Sequence, residues 1–411
     1  MRWYLIVVSA LLGPTMVSQT AHGQSYGIEL HNNVMPASGA MGGASFSRPQ
    51  DVQSAINGNP ATMTQFAGPS MGFGGAFIEP TVNITQSSSL PLLNVDPFSG
   101  KSDTPASLAG NIGVIQQTEL MGQPISFGLG FVTNAGLGVD FRPIDASNGT
   151  HVSYLALDLV NAVAVEVAPN LTVGGSLAIG TSIMDGPFVG ASSSQTDYAT
   201  RFTLGANYEL GSGTSVGGFW QSKKDFTFDN VIEFTSGPLA GVQQDIRLEH
   251  PMNLGMGIAN RSLMNGRLLF AADVIYKNWA DAEFFKSIYK DQWVLQLGTQ
   301  YAATERCKLR MGYAINEDPT RDTVPGTIGG VVPVGGVPAV EYLQAQFAVV
   351  PQHRLTGGIG LVDVMPNTDF DLTVGGVFNG DKTFGSTAVD IEGYYVAFGF
   401  TFRPSVVGCC R

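Results

Sequence analysis

The feature that most constrains this chain is the length of the stretches in which apolar and polar residues alternate. From Ser153 to Val167 the odd positions are mostly aliphatic, and the even positions are mostly small or acidic. A period of two residues is that of a β-strand with two different faces. The stretch exceeds the roughly 5–6 residues of an ordinary globular strand and reaches the roughly 9–11 residues that cross a bilayer. We therefore expect long β-strands, either in a soluble sandwich or in a membrane barrel.

The composition helps to distinguish these two kinds of β-protein. Only 13% of the 411 residues are charged, 44% are hydrophobic, and the net charge is −12. A disordered chain would carry more charge and fewer hydrophobic residues, and a nucleic-acid-binding protein would be basic. Three cysteines are too few for a disulfide-rich scaffold. The shortage of charge indicates that much of the outside does not face water.

The N-terminus predicts export from the cytoplasm. Arg2 precedes an apolar run from Trp3 to Leu12, and Ala21 and Gly23 are small residues at positions suited to signal cleavage. We predict that residues 1–23 are a signal peptide. No later stretch provides the roughly 18 consecutive apolar residues of a transmembrane helix. A closed β-barrel is the other way for an exported chain to span a membrane, and a secreted soluble β-protein is the alternative.

Strand-like segments recur over residues 70–402, for which we predict a transmembrane antiparallel β-barrel of about 14 strands. Short turns alternate with long, glycine-rich connections, as periplasmic turns and extracellular loops do in such barrels. Aromatic residues near predicted strand ends indicate an interfacial girdle: Trp220, Tyr276, Trp279 and Trp293. The predicted strands are 70–84, 105–116, 124–141, 151–167, 171–183, 198–210, 214–228, 244–259, 267–285, 291–303, 308–317, 340–350, 354–364, which residues 365–380 could extend, and 393–402.

The two ends of the predicted barrel carry further segments. Residues 24–69 follow neither the strand nor the helix period, carry few charges and are too short to bury a core alone. We predict that they form a hatch, a compact plug inside the lumen. Asn59, Pro60 and Ala61 are expected to turn the chain into the wall, because proline keeps the preceding residue out of the helical region. Residues 403–411 form a C-terminal extension, whose adjacent cysteines are not expected to form a disulfide.

Motifs along the chain carry a resemblance to a known family. Five segments resemble, in the same order, segments of the FadL/TodX family: Gly27–Leu30, Asn59–Ala61, Asn134–Phe141, Tyr289–Asp291 and Gly312–Ala314. That family comprises outer-membrane transporters of long-chain fatty acids and aromatic hydrocarbons. The resemblance implies a fourteen-stranded barrel, an N-terminal hatch, and lateral release of substrate through a gap made by a kinked third strand. It also implies the outer membrane of a diderm bacterium as the location.

The third predicted strand contains a candidate for such a kink. Gly136 and Gly138 interrupt it, and glycines within strands mark bulges or bends where pairing fails. A strand that bends inward would leave its neighbour unpaired and open the wall. The alternative is simple glycine richness, since the chain contains 52 glycines.

Two basic residues are candidates for contact with the head group of an acidic substrate. The family resemblance suggests a basic residue at Lys290, just before the tenth strand, and Arg201 projects from the polar face of the sixth. The alternative is that both cations offset acidic neighbours such as Asp291 and Glu209. The connection after the fifth strand, residues 184–197, is short for the family, and the apolar residues 324–339 are a possible replacement for its external groove.

Catalytic and cofactor sites are not predicted. The segment Gly213–Gly217 matches the nucleophile-elbow pattern but lies at a hairpin turn, without the helix that the elbow requires. The five histidines are scattered without metal-ligand spacing. Asp369 and Asp371 are spaced to share a divalent ion, although solvated loop carboxylates are the simpler interpretation. We expect no metal, cofactor or nucleic acid.

The sequence therefore favours a transporter of hydrophobic compounds over a general porin or an adhesive β-protein. A porin would line its lumen with opposed charges and would not need a hatch. We expect long-chain fatty acids as substrates, with aromatic hydrocarbons as the alternative. A monomer is expected, with outer-membrane lipid and the barrel-assembly machinery as partners.

Overall fold

The computed structural model describes residues 27–120, 122–186, 194–233, 240–328, 335–378 and 380–404. The predicted signal peptide, residues 187–193 of the connection after the fifth strand, residues 329–334 of the apolar segment 324–339, and Cys409 and Cys410 lie outside these ranges. Within the ranges described, no helix is long and apolar enough to cross a membrane.

Fourteen antiparallel strands close into one β-barrel, as the alternation predicts. Each pairs with the next barrel strand along the chain, and the last pairs with the first, from Met71 opposite Phe402 to Gln86 opposite Thr387. Closure of the barrel gives the edge strands hydrogen-bond partners for their backbone N–H and C=O groups, which lipid could not provide. The strands are β1 (Ser70–Gln86), β2 (Ser107–Leu120), β3 (Gln123–Asp140), β4 (His151–Ala168), β5 (Leu171–Asp185), β6 (Ser194–Gly211), β7 (Thr214–Gln221), β8 (Asn253–Leu263), β9 (Leu268–Lys277), β10 (Gln292–Ala302), β11 (Cys307–Asn316), β12 (His353–Met365), β13 (Thr368–Phe378) and β14 (Thr387–Phe402).

The connections divide the barrel into a short-turn end and a long-loop end. At the long-loop end, Phe98–Lys101 and Asp381–Phe384 add short strands to β1 and β14. Lys224–Glu233 and Gln243–His250 pair with each other as a separate two-stranded sheet, here called the outer hairpin. The helices are α1 (Val52–Asn57), α2 (Phe285–Ile288) and α3 (Gly336–Gln346), with 3₁₀ turns at Gly39–Met41, Pro60–Gln65, Asp145–Ser147 and Trp279–Asp281.

One predicted strand is a helix. Residues 340–350, predicted as the twelfth strand, lie mostly in α3, which begins at two glycines with positive φ, Gly335 and Gly336. Val340, Leu343 and Phe347 are buried, and their spacing is that of a helical face. The segment contains Ala, Gln, Glu and Leu, which favour helix.

The sequence predicts the thirteenth barrel strand only as an extension of the strand before it. Residues 368–378 form the separate strand β13, because the turn between β12 and β13 is only two residues long and Asn367 adopts φ 60°. The predicted strands 214–228 and 244–259 each continue past the wall into the outer hairpin. The predicted strand 267–285 also ends early, at Lys277.

The two faces of the wall differ as the alternation predicts. Outward positions of β4 such as Leu159 and Val163 are exposed, whereas inward Ala156 and Ala162 are buried. At the long-loop end, exposed Trp293 lies 4.9 Å from Tyr276 between ring centroids, consistent with an aromatic girdle. Trp279 does not join it, because its side chain is buried among the loops against α2.

The lumen is filled by residues 27–69, which we call the hatch. Glycines on the inner face of the wall allow the hatch backbone to approach closely. A Cβ on Gly298 would lie 2.5 Å from the Met41 carbonyl oxygen, and a Cβ on Gly312 would overlap the Gly42 nitrogen. The Gly42 amide also donates to the Thr356 hydroxyl at 3.1 Å. The backbone of the hatch is therefore packed directly against the backbone of the wall at these positions.

This fit predicts the effect of adding bulk to the inner face. Gly312→Val should destabilise the protein by about 3 kcal/mol, the upper part of the range for overpacking, because the opposing atoms are backbone. The measurement is the free energy of unfolding from a denaturant titration in lipid vesicles.

The matched control is Gly357→Val on the adjoining strand β12. The nearest heavy atom to a Cβ at Gly357 is 3.8 Å away, so this variant should unfold like the wild type. Equal losses in both variants would show that the hatch does not press on Gly312.

Candidate functional site

The wall parts between β2 and β3 towards the long-loop end. β3 pairs with β2 only as far as Val132, opposite Asn111, but it pairs with β4 as far as Asp140, opposite His151. Residues 107–110 of β2 then pair with β1 alone among the described strands. We call this opening, between residues 107–110 and 133–140, the β2–β3 gap.

A β-bulge at Asn134 accompanies the parting. The register with β4 shifts between Thr133 and Ala135, so Asn134 is the extra residue. Bulges bend a strand and increase its twist. Gly136 and Gly138, the sequence-predicted kink residues, lie just beyond it. The bulge residue Asn134 is not predicted from the sequence, although it lies in the segment that carries the family resemblance.

The hatch occupies part of the edge that β3 exposes. Gly27 and Gly136 exchange both backbone hydrogen bonds at 3.1 Å, and the Leu30 amide donates to the Asn134 carbonyl at 2.9 Å. Thr133 remains tied to β2, because its hydroxyl donates to the Gly110 carbonyl at 3.2 Å. The gap is therefore closed from inside by the first described residues of the hatch.

A cavity of about 60 Å³ lies between the start of the hatch and the wall opposite the gap. Ligand pockets usually measure about 300–1,000 Å³, so this cavity is too small for a lipid-sized molecule while the hatch holds this position. Its lining includes two cations, one carboxylate and two aromatic residues besides amides: Lys277, Arg354, Glu29, Trp279, Tyr289, Gln292 and Asn316. The carboxylate of Glu29 is bound to Arg201.

The two cations are buried in the lumen without a carboxylate partner in the described chain. The Lys277 ammonium donates to the backbone carbonyl of Glu29 at 3.2 Å. Nε and Nη1 of Arg354 have no hydrogen-bond partner among the described residues. Burying a charge without a partner is costly, so this pair is suited to receive an anion. Neither residue is among the binding residues predicted from the sequence, although the inward positions of both on predicted strands are a usable signal.

Arg201 points into the barrel, as predicted from its face, but it is bound to the hatch. Its Nη1 donates to both carboxylate oxygens of Glu29 at 2.8 Å, and its Nε donates to the Ser222 carbonyl at 2.9 Å. Its Nη2 donates to the Pro251 carbonyl at 2.8 Å. These bonds make Arg201 an anchor for Glu29, while Glu209 pairs with Arg48 instead.

Lys290 lies outside the lumen. Its side chain is exposed, and it borders an outer groove with Glu317 and Asp318. The structure therefore separates the two sequence-predicted binding residues, with Arg201 inside the barrel and Lys290 on its rim.

Glu29 is the centre of a buried polar network. His250 Nδ1 lies 2.6 Å from its Oε1, and the Asn253 amide donates to its Oε2 at 2.7 Å. The Tyr154 hydroxyl lies 2.6 Å from His250 Nε2. Burial lowers the pKa of His250 to about 4, so a neutral ring that donates from Nδ1 and accepts at Nε2 fits both contacts. The network joins the hatch to three separate parts of the wall.

The turn at Asn59, Pro60 and Ala61 lies against β5 and β6. The Asn59 side-chain amide donates to the Phe46 carbonyl at 2.8 Å and to the Ala206 carbonyl at 3.0 Å. A Cβ on Gly174 would lie 2.6 Å from the Ala61 nitrogen. The 3₁₀ turn that follows leads the chain towards β1.

The described residues contain no group of three or more His, Cys, Asp or Glu side chains that could hold a metal ion. Asp369 and Asp371 are strand residues of β13, not the solvated loop pair expected. Asp371 pairs with Arg310 at 2.5 Å, and Asp369 pairs with Arg403.

Comparison with known families confirms the resemblance seen in the sequence. Residues 15–185 match the model of the family described as outer membrane protein transport protein (OMPP1/FadL/TodX). This is a family of outer-membrane transport channels and not of enzymes. No curated protein sequence matches the chain.

Solved structures show the same fold at low sequence identity. The Pseudomonas putida toluene transporter TodX is 16% identical with a TM-score of 0.66, and the match covers 93% of this chain and 99% of that one. A Pseudomonas aeruginosa FadL homologue is 13% identical with a TM-score of 0.69 and the same coverage. The Ralstonia pickettii toluene transporter TbuX is 16% identical with a TM-score of 0.62, over 90% of this chain and 97% of that one.

The Glu29 network predicts a strong effect of removing its charge. Glu29→Gln should lower the free energy of unfolding by about 3 kcal/mol, because it leaves the buried Arg201 without a carboxylate. A denaturant titration in lipid vesicles measures the change.

Asp225→Asn is the matched control, because Asp225 pairs with Arg247 on the exposed surface of the outer hairpin. Solvent screens such a pair, so the control should unfold like the wild type. A Glu29 variant as stable as this control would contradict the anchoring role.

Proposed function

We propose that this outer-membrane barrel of the FadL/TodX type transports long-chain fatty acids and releases them sideways through the β2–β3 gap. The observation that carries the choice of substrate is the pair of buried cations, Lys277 and Arg354, at the cavity beneath the loops. A fatty acid has one carboxylate, which could pair with these cations, and a tail that needs apolar contacts. Nothing in a hydrocarbon substrate would require them.

The energetics favour an acid at this position. A charge-assisted hydrogen bond contributes about 1.5–3 kcal/mol, and the unpartnered Nε and Nη1 of Arg354 are already held in a buried site. The small cavity means that the hatch residues that line it must shift before a tail can enter. Substrate binding is therefore coupled to displacement of the hatch from β3.

Uptake of aromatic hydrocarbons is the second candidate, and structural comparison supports it. Two of the similar structures are toluene transporters, and Trp279 and Tyr289 border the cavity. The two candidates differ in one chemical requirement, since only the acid needs the cations. A general porin fits poorly, because the hatch fills the lumen that sugars would need.

Removal of the cations tests the substrate class. In Arg354→Met and Lys277→Met, the affinity for oleate should fall about tenfold or more, corresponding to about 1.4 kcal/mol. The affinity for an uncharged hydrocarbon of similar length should stay the same, because its contacts are apolar. Both affinities are measured by equilibrium binding to purified protein in mild detergent.

Lys290→Met is the control, since Lys290 lies on the outer rim. It should bind oleate like the wild type. A tenfold loss of oleate affinity in Lys290→Met, with no loss in Arg354→Met, would show that the carboxylate of the substrate binds near Lys290. Equal losses for oleate and hydrocarbon at Arg354 would favour the hydrocarbon as substrate.

The release route rests on the bulge. β3 separates from β2 beyond Val132, and the exposed wall residues next to the opening are apolar, such as Leu108 and Phe131. A tail leaving through this opening would pass directly from the lumen into outer-membrane lipid. Passage along the barrel axis would instead require the whole hatch to leave.

Straightening β3 tests this route. Deleting Asn134 removes the extra residue and should let β3 pair with β2 further along the strand, so that fatty-acid uptake falls about tenfold or more. Gly136→Val with Gly138→Val should act in the same direction by stiffening the strand. Uptake is measured in cells with equal amounts of folded barrel in the outer membrane. Wild-type uptake in a correctly assembled deletion variant would exclude the lateral route.

A further inference from the structure

The outer hairpin places a polar side chain inside the barrel from each of its two chain ends, which pair with each other at the base of the hairpin. Lys224 is the first residue of its first strand, and His250 is the last residue of its second. Both side chains are fully buried. Elsewhere on the hairpin, charged residues such as Asp225 and Arg247 are exposed. The hairpin is thus held to the barrel interior at its base, through both of its strands.

The first end reaches the bulge of β3. The Lys224 ammonium lies 2.5 and 2.7 Å from the two carboxylate oxygens of Asp158 on β4. The second of these oxygens accepts a hydrogen bond from the Asn134 side-chain amide at 2.6 Å. Asn134 is the extra residue of the bulge. A continuous chain of contacts therefore runs from the hairpin to the point where the wall parts.

The second end reaches the hatch. His250 contacts the Glu29 carboxylate at 2.6 Å, and the next residue, Pro251, accepts a hydrogen bond from Arg201, the ion-pair partner of Glu29. The neighbouring Leu30 amide donates to the Asn134 carbonyl. The two ends of the hairpin thus act on the same bulge, one through Asp158 and the other through the hatch.

The buried ion pair is an expensive way to gain stability alone. Desolvation offsets most of the attraction between two buried charges, and apolar replacements of such pairs often stabilise proteins. The wall nevertheless leaves room for the ion pair, because Gly180 has no side chain. A Cβ on Gly180 would lie 2.8 Å from Asp158 Oδ1 and 2.9 Å from Lys224 Cδ. What the pair does provide is a fixed position for Asn134 relative to the hairpin.

We propose that the outer hairpin is a clamp whose two ends hold the β3 bulge and the start of the hatch in the closed position. Displacing the hairpin withdraws Lys224 from Asp158 and His250 from Glu29, which leaves Arg201 and Asn253 as the only described wall partners of the Glu29 carboxylate and loosens the seal between Gly27 and Gly136. The clamp regulates the opening that the proposed lateral route uses, and in that respect it rests on the proposed function. Lys224 and Asp158 are positioning residues and do not contact substrate.

Hydrogen exchange of the purified protein, measured by mass spectrometry without substrate, tests the clamp. In Lys224→Met, amides of residues 133–140 and of residues 27–30 should exchange about tenfold faster, while β9 to β12 remain unchanged. Arg247→Met is the matched control, because it breaks an exposed ion pair of the same hairpin. It should exchange like the wild type.

A double variant, Lys224→Met with Asp158→Asn, separates the clamp from simple damage. It leaves no unpaired buried carboxylate, and the amide oxygen introduced at position 158 can still accept a hydrogen bond from Asn134. The clamp predicts fast exchange at the bulge and hatch in this variant too. Wild-type exchange in the double variant, or acceleration spread evenly over all strands, would overturn the proposal. Because no substrate is present, this result does not depend on which compound is transported.

Discussion

The structure depends on the need of every strand in a membrane to find a hydrogen-bonding neighbour on both sides. The closed barrel meets this need almost everywhere, from the β1–β14 seam around to β2. The β2–β3 gap is the departure, where a bulge at Asn134 turns one edge of β3 inward. The hatch then supplies part of the missing partner through Gly27 and Leu30. The gap therefore stays closed only while the Gly27 and Leu30 backbone groups of the hatch remain hydrogen-bonded to β3.

Polar groups buried in the lumen set the position of the hatch. Glu29 gathers Arg201, His250 and Asn253, and Asp273 accepts hydrogen bonds from the Ser45 and Phe46 amides at 2.6 and 2.9 Å. Such contacts are strongly directional, unlike the apolar packing of the wall against lipid. They define one closed arrangement, and they leave Lys277 and Arg354 as the cations without a carboxylate partner in the described cavity.

The wall could be predicted from the sequence because lipid imposes a simple rule on it. Each outward position of a strand such as β4 must be apolar, and this rule repeats every second residue. The rule fails for α3, because Val340, Tyr342 and Ala348 occupy alternate positions in the sequence, although the buried residues Val340, Leu343 and Phe347 are spaced as one face of a helix. It fails again at β13, because a two-residue turn at Asn367 leaves no break in the pattern.

The site could be predicted only in part, because its partners lie far apart in the chain. The inward direction of Arg201 follows from its strand, but its partner Glu29 is 172 residues away and belongs to a segment without a period. Which inward cation remains available to an anion depends on the path of the hatch, and the sequence alone does not reveal that path. Only the family resemblance points to Lys290, and the fold places this residue on the rim.

The inner glycines have a consequence for how such a protein can change over evolutionary time. At Gly298 and Gly312 the inner face of the wall has no side chain, and the hatch backbone occupies the space that a side chain would need. Either glycine can be replaced by a larger residue only if a second change moves the facing hatch segment away from the wall. Substitutions in the wall and in the hatch are therefore coupled at these positions, and a hatch transplanted from a distant relative would meet a wall whose inner surface does not match its shape.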